Sequence, residues 1–420
     1  MVRVGILGVG TVGSSVARIL QENGDILEAR TGKKIVPVVG AVRDMGRSRD
    51  VDIRLTDNPD EVVDDPEIDI VVELMGGVEE PYRVVRKALE NGKAVVTANK
   101  ALLAYHRYEL QEIAGETPLY YEASVAGGIP IIGALRNGLS ANHIESITGI
   151  MNGTCNYMLT RMIKDGVAYD DVLAEAQRLG YAEADPTFDV GGYDAAHKLL
   201  ILGSIAYGID AKPEDIIIEG IEEITQTDVE FAREFGYEIK LLGIAKKSGN
   251  GVEMRVHSAL IPAESMIAKV DGVMNAVSVR GDRVGETLFY GPGAGGDATA
   301  SAVVADIVEI VRGNSGPMLG YKKSLESASR LLSAEEVTSQ YYLKLKVIDE
   351  PGVLAAVSST LGEFGISIES MLQKPSVDAD RVKLLFTTHI CSEKRMKDAV
   401  EAIGRLDVVD ENITMIRIEK

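Results

Sequence analysis

The sequence predicts three units in series. They are a doubly wound α/β unit with a parallel sheet over 1–135, an α+β unit over 136–320, and a βαββαβ unit over 339–420, with 321–338 as a linker. Three observations carry this reading. The chain opens VRVGILGVGTVGSSVARIL, an apolar strand, a glycine turn and then a helix. Short apolar runs alternate with amphipathic stretches to about residue 130, the rhythm of a parallel sheet covered by crossover helices. After residue 338 the pattern restarts with period-two strands separated by two helical segments.

In the first unit Val2–Leu7 reads as a buried strand, Gly8–Gly13 as a tight turn and the following SSVARILQEN as a helix. Ile35–Val42 and Ile68–Leu74 are β-branched runs and read as strands. Pro81–Asn91 is helical and is stopped by Gly92. KAVVTANK is the next strand and its exit, and Leu119–Ser124 the last. In the middle unit SVAGGIPII reads as a loop opening a helix, Ile144–Ile150, Val252–Leu260 and Met274–Arg280 as strands, and Tyr169–Leu179 and Asp194–Tyr207 as helices. Gly291–Ala300 is a second glycine-rich helix entrance; the apolar helix after it, within about 291–315, returns the chain to the first unit. In the tail, Tyr341–Val347 is a strand, DEPG a turn into a helix that Gly365 stops, and RVKLLFTTHI and ITMIRIEK are strands flanking the second helix.

Composition narrows the function classes. The formal net charge of −20 argues against nucleic acid and anionic membrane surfaces as partners, since both demand basic patches. Two cysteines, Cys155 and Cys391, build neither a disulfide framework nor a Cys-rich metal site. The start of the chain does not read as a signal peptide and no run is long and apolar enough to span a membrane, so a cytoplasmic location is expected.

Gly8, Gly10 and Gly13, with Thr11 and Val12 between them, sit where a dinucleotide fingerprint must sit. The glycines allow a tight turn, close approach to a pyrophosphate and close helix packing, and the helix start offers free N–H groups. The alternative is a glycine turn with no ligand. At the end of the second strand an acid would bind a ribose hydroxyl, whereas an arginine accommodates a 2′-phosphate. Arg43 lies nearer the strand end than Asp44, which favours NADP over NAD; the other reading of Arg43 is a solvated loop cation. Lys100, in TANK, leaves a strand at the ligand-binding edge of the sheet. Gly295 lies in the second glycine-rich entrance and is read as closing over the cofactor.

Glu122–Pro130, EASVAGGIP, has few side-chain donors but small residues that leave carbonyls free. Such carbonyls suit a hard monovalent cation such as Na⁺, or only a structural crossing. The densest chemistry is GYAEADPTFDVGGYDAAHKLL, Gly180–Leu200. Asp194 and Lys198 are i, i+4 and share a helix face. As a surface pair they would be worth only a few tenths of a kcal/mol, ~0.3–0.5. Their helix is mostly apolar, however, and a buried lysine is desolvated into a useful proton carrier. Glu183, Asp185 and Asp189 precede them as candidate substrate ligands, at a spacing that fails the calcium-loop template.

GVGTVG, TANK, EASVAGGIPII, MNGTCNYMLT, GYAEADPTFDVGGYDAAHKL and GPGAGGDATA occur in the order found in homoserine dehydrogenases, which the chain resembles to about residue 320. The tail, with DEPGVLAAVSSTLGEFGISI, resembles an ACT domain, a module that binds amino acids between paired copies. The resemblance implies a Rossmann-type nucleotide domain, a catalytic and dimerisation domain, a homodimer or homotetramer, and NAD(P)-dependent interconversion of L-homoserine and L-aspartate 4-semialdehyde in threonine, methionine and isoleucine biosynthesis. It implies proton transfer by Lys198 supported by Asp194, with Lys100 between nicotinamide and substrate and Glu183 on the substrate ammonium. It also implies a monovalent cation on backbone groups of Glu122, Val125, Gly127 and Ile129. Threonine is the expected effector, near Asp349, Gly352 and Ile366. The competing readings are a dehydrogenase of another small amino-acid substrate and a non-catalytic amino-acid sensor; the latter has no need of Glu183, Asp194 and Lys198 together with TANK.

Overall fold

The computed structural model describes residues 1–314, 316–323, 330–375, 381–410 and 412–420. The first unit is a six-stranded, all-parallel sheet: β1 (Val2–Leu7), β2 (Ile35–Ala41), β3 (Arg54–Thr56), β4 (Ile70–Glu73), β5 (Ala94–Thr97) and β6 (Leu119–Tyr120), in the order β3-β2-β1-β4-β5-β6. The order reverses next to β1, so the crevice for a ligand opens above the carboxyl ends of β1 and β4. Runs such as IVPVVGA and IVVE are β-branched and covered on both faces, as parallel strands require. One face packs the helix Thr11–Glu22 and the late helix Gly296–Val311 into a single apolar cluster with Val4, Ile6, Val72 and Val96. The helix after the second glycine-rich loop therefore covers the first sheet.

Two features escaped the pattern. β3 is a three-residue edge strand, too short to show a period. Between the first helix and β2 lies a second helix, Gly24–Thr31, which accounts for the long spacing from Gly13 to Arg43.

The second sheet is larger than expected. Its strands run in the order 285–292, 274–281, 144–150, 237–248, 251–262, 414–418, 338–348, 381–388 and 368–375. The βαββαβ unit is thus not a separate bead. Its last strand, Thr414–Ile418, lies parallel to Gly251–Pro262, pairing Ala259 with Arg417 and Leu260 with Ile418. Arg417 is fully buried at this seam. Its Nε donates to Glu393 at 2.9 Å, and its terminal nitrogens donate to Glu219 at 2.6 and 3.0 Å. Residues 324–329 of the expected linker lie outside the described residues.

The helix Tyr193–Tyr207 crosses beneath this sheet. Residues Asp194 to Ile205 are all buried, because apart from Asp194, His197, Lys198 and Ser204 this stretch holds only apolar residues and glycine, distributed around the helix. Each fully buried Leu or Ile there contributes ~1.5–3 kcal/mol. Among the described residues, no helix is long and apolar enough to cross a membrane.

Candidate active site

Four short segments meet around one cavity of about 670 Å³. The first is the glycine turn after β1. Gly8 has φ +98°, and a Cβ on it would lie 2.7 Å from the carbonyl oxygen of Leu74. A Cβ on Gly13 would lie 2.3 Å from the Gly8 oxygen, so both positions exclude any side chain. A Cβ on Gly10, by contrast, would meet nothing within 4 Å. Two glycines close the turn and the third leaves open space at the start of a twelve-residue helix, the arrangement that receives a pyrophosphate.

The second and third segments interlock. EASVAGGIP turns sharply at Ala126 (φ +54°) and Gly127 (φ +53°). Among the described residues Ala126 is the one non-glycine position in the left-handed region, and it lines the cavity. A Cβ on Gly127 would lie 2.5 Å from the Gly293 oxygen, and the Gly128 N–H donates to Pro292 at 3.2 Å. Gly127 and Gly295 (φ +129°) both line the cavity.

The fourth segment carries the charges. Lys198 Nζ donates to Asp194 Oδ2 at 2.7 Å and to the Met151 carbonyl at 2.7 Å. Lys100 Nζ, arriving from the far side at the start of the helix Lys100–Ala114, lies 2.9 Å from Asp194 Oδ1. One buried carboxylate thus holds two ammonium groups at the cavity wall. Burial alone would raise the Asp194 carboxyl, but the two lysines outweigh it and hold the group well below the usual carboxylate range. Burial dominates at Lys198 and lowers its pKa despite Asp194. At half-exposed Lys100 burial works the same way, but the charge of Asp194 prevails and the pKa rises. The two lysines are therefore electrostatically unlike, and Lys198 is the one pushed toward releasing a proton.

Asn152 and Asn275 were missed at the level of sequence. Asn152 Nδ2 donates to Asp189 Oδ1 at 2.8 Å and to Asp194 Oδ2 at 2.9 Å, while its Oδ1 accepts the Cys155 N–H at 2.8 Å and caps the helix Gly153–Asp165. The available signal was an asparagine immediately before a helical run, MNGTCNYML, which marks an N-cap. Asn275 lines the cavity and is 1% exposed, with no partner for its Oδ1 among the described residues. It sits in a strand and gives no sequence signal.

Lys100, Lys198, Asp189, Asp194, Val12, Gly127 and Gly295 line the cavity, but not every expected residue does. Glu183 and Asp185 stay on the exposed loop before Pro186, where Asp185 accepts the Thr187 N–H at 3.1 Å. Arg43 is exposed beyond β2; it is Arg49 that pins this loop to the glycine turn, donating to the Val9 carbonyl at 2.8 Å. The side chains from Glu122 to Ala126 and that of Ile129 are buried, and the Glu122 carboxylate accepts the N–H groups of Ile132 and Gly133 at 2.8 and 2.6 Å. That carboxylate is committed, so any cation there would take backbone oxygens. No cluster of three or more His, Cys, Asp or Glu side chains suited to a metal occurs among the described residues. In the tail, Asp349 and Gly352 (φ +98°) form the exposed turn before the helix Val353–Glu363, and Ile366 is buried behind it.

Comparison with known proteins identifies the family. The family model for the homoserine dehydrogenase catalytic region matches residues 130–308, its NAD-binding domain matches 8–122, and the ACT domain matches 341–408. A homoserine dehydrogenase of Helicobacter pylori is 53% identical over 99% of this chain and 98% of its own length. One from Pseudomonas aeruginosa is 47% identical over 100% and 99%. The crystal structure of a homoserine dehydrogenase from Thiobacillus denitrificans superposes with a TM-score of 0.95 at 47% identity, covering 100% of this chain and 98% of that one. A hyperthermophilic archaeal homoserine dehydrogenase in complex with NADPH covers 73% of this chain and 97% of its own, with a TM-score of 0.63 and 29% identity. With family models spanning residues 8–122 and 130–308 and a relative 53% identical over 99% of this chain, the protein belongs to the homoserine dehydrogenase family.

Proposed function

We propose that this chain interconverts L-homoserine and L-aspartate 4-semialdehyde with a nicotinamide coenzyme, serving threonine, methionine and isoleucine biosynthesis in the cytoplasm. The observation that carries the reading is the Asp194 carboxylate gripping Lys100 and Lys198 at the wall of the cavity below the glycine turn. The bound nicotinamide supplies hydride acceptance and return. The turn of Gly8, Gly10, Thr11, Val12 and Gly13 would hold the coenzyme's pyrophosphate, and Gly295 would lie against the coenzyme.

In the oxidative direction Lys198, as the neutral amine, takes the hydroxyl proton; in the reductive direction its ammonium returns a proton to the carbonyl oxygen. Asp194 holds the lysine in place, and Lys100 polarises the substrate oxygen from the coenzyme side. Asp189 faces the cavity and receives the substrate ammonium. Glu183 and Asp185 join it when their loop folds over the ligand.

We infer NADP rather than NAD from Arg43, with both coenzymes tested side by side. A monovalent cation such as Na⁺ is held by backbone oxygens of Glu122, Val125, Gly127 and Ile129, an oxygen-only set of the kind hard cations take. Activity measured in Na⁺ against a tetraalkylammonium salt tests this. Threonine binds at Asp349, Gly352 and Ile366 between paired ACT units of a homodimer or homotetramer. Truncation near Thr338 would strip the edge from strand 251–262 and remove Arg417, so an Asp349→Ala variant, at an exposed turn position free of backbone strain, is the sounder test of inhibition. For the activity itself, L-homoserine is mixed with NADP or NAD and reduced nicotinamide is followed by absorbance. Turnover is expected, and none with either coenzyme would reject the reading.

A further inference from the structure

A carboxylate outside the reacting group is buried at the end of β4. Glu73 has no exposed surface. It stands opposite Thr97 in the β4–β5 register. Its Oε2 accepts the Thr97 hydroxyl at 2.5 Å and its Oε1 accepts the Met75 N–H at 2.7 Å. Burial pushes its carboxyl up to about 7 against those hydrogen bonds. Tying two parallel strands needs no such group, because the ladder already does it and an apolar pair would cost less to bury.

The hydrogen bonds lead on. Thr97 Oγ1 accepts the Asn99 N–H at 3.0 Å. Asn99 Oδ1 accepts the Leu102 N–H at 3.0 Å, capping the helix that begins at Lys100. Asn99 Nδ2 donates to the carbonyls of Met75 and Gly77 at 3.3 and 2.8 Å. Met75, held by Glu73 on one side and Asn99 on the other, lines the same cavity as Lys100. The chain of contacts closes a ring around the first turn of the helix, and that turn sets where Lys100 Nζ meets Asp194.

We propose that Glu73 is a positioning residue for the reaction, acting through Thr97 and Asn99 to place Lys100 against Asp194. It touches neither substrate nor coenzyme. The inference rests on the assignment of Lys100 above. A glutamine can accept the Met75 N–H and donate to Thr97 Oγ1, so Glu73→Gln keeps the ring, whereas Glu73→Ala opens it.

A double-mutant cycle with Lys100→Ala tests the proposal in the full-length enzyme. In the parent, Glu73→Ala should lower kcat by about 10²-fold, the scale of a 1 Å misplacement, and Glu73→Gln should restore most of it. In the Lys100→Ala background the same change should cost no more than about twofold. A full loss that persists in that background places the role of Glu73 elsewhere and overturns the inference, as does a failure of Gln to rescue. If Lys100→Ala turns over at the parental rate, the Lys100 assignment falls and takes this inference with it. Should Glu73→Ala fail to fold, Thr97→Val run through the same cycle reads the same coupling, and additivity there overturns the proposal.

Discussion

Lys198 Nζ lies 2.7 Å from Asp194 Oδ2, one helical turn away, inside a helix whose faces are all buried. The pair stands at the cavity wall with Lys100 on the other carboxylate oxygen. Removing one partner of a buried ion pair strands the other, at a cost of ~3–5 kcal/mol unless the group neutralises. Asp194→Asn should therefore lower Tm and reduce homoserine oxidation by at least about 10²-fold. Thermal melts and steady-state rates check both. An Asn variant of parental activity would remove Asp194 from the chemistry.

The pH dependence has a definite sign. Burial lowers the pKa of Lys198, so the neutral amine forms below the ordinary lysine value of about 10.4. Oxidation of L-homoserine needs that form, and its rate should rise with pH and level off below that value. Reduction needs the ammonium and should decline over the same interval. In any Asp194→Asn variant with residual turnover, loss of the carboxylate that favours the charged amine moves the oxidative limb to lower pH. Rate profiles in both directions test this; limbs of the same sign would contradict it.

Glycine substitutions separate binding from folding. Gly13→Ala drives a Cβ to 2.3 Å from the Gly8 oxygen and should destabilise the protein. Gly10→Ala meets no neighbouring atom in the fold. It should leave Tm unchanged while raising the coenzyme KM by about 10-fold or more, since a methyl would stand where the pyrophosphate approaches. Equal effects on Tm from the two variants would refute the distinction.

His197 gives an acid-stability prediction. Its ring sits edge-on to Tyr105 and Phe188, and burial pushes its pKa down to about 4. The unfolded chain binds this proton at about pH 6.5, so it takes up more protons than the native state between those values. Stability must then fall as pH drops through that window. His197→Phe should lessen the loss between pH 7 and pH 5 by ~1–2 kcal/mol, read from urea melts. An unchanged pH slope would contradict the assignment.

Much of this was legible in the sequence, for identifiable reasons. The parallel sheet showed because its strands are buried on both faces and rich in valine and isoleucine. Asp194 and Lys198 showed because an i, i+4 charge pair stands out in an apolar helix. The second bond of Asp194, to Lys100, did not: the two residues are far apart in sequence, and only the fold brings them together. Asn152 was hidden as an ordinary cap, and Glu73 as the polar end of an apolar strand. The fusion of the tail's sheet with the middle sheet depends on two register pairs at one seam, which no period of hydrophobicity reports. Glu183 and Asp185 stand outside the cavity because Pro186 and the Thr187 N–H hold their loop in its own turn.

The central claim is that Lys198, clamped by Asp194, moves the proton. It is tested most directly by comparing kcat/KM for L-homoserine in the parent and in Lys198→Ala, with coenzyme affinity measured on the same samples. The account predicts a loss of about 10²–10⁴-fold, the range of a general base, with coenzyme affinity unchanged. A variant within about threefold of the parent would contradict it.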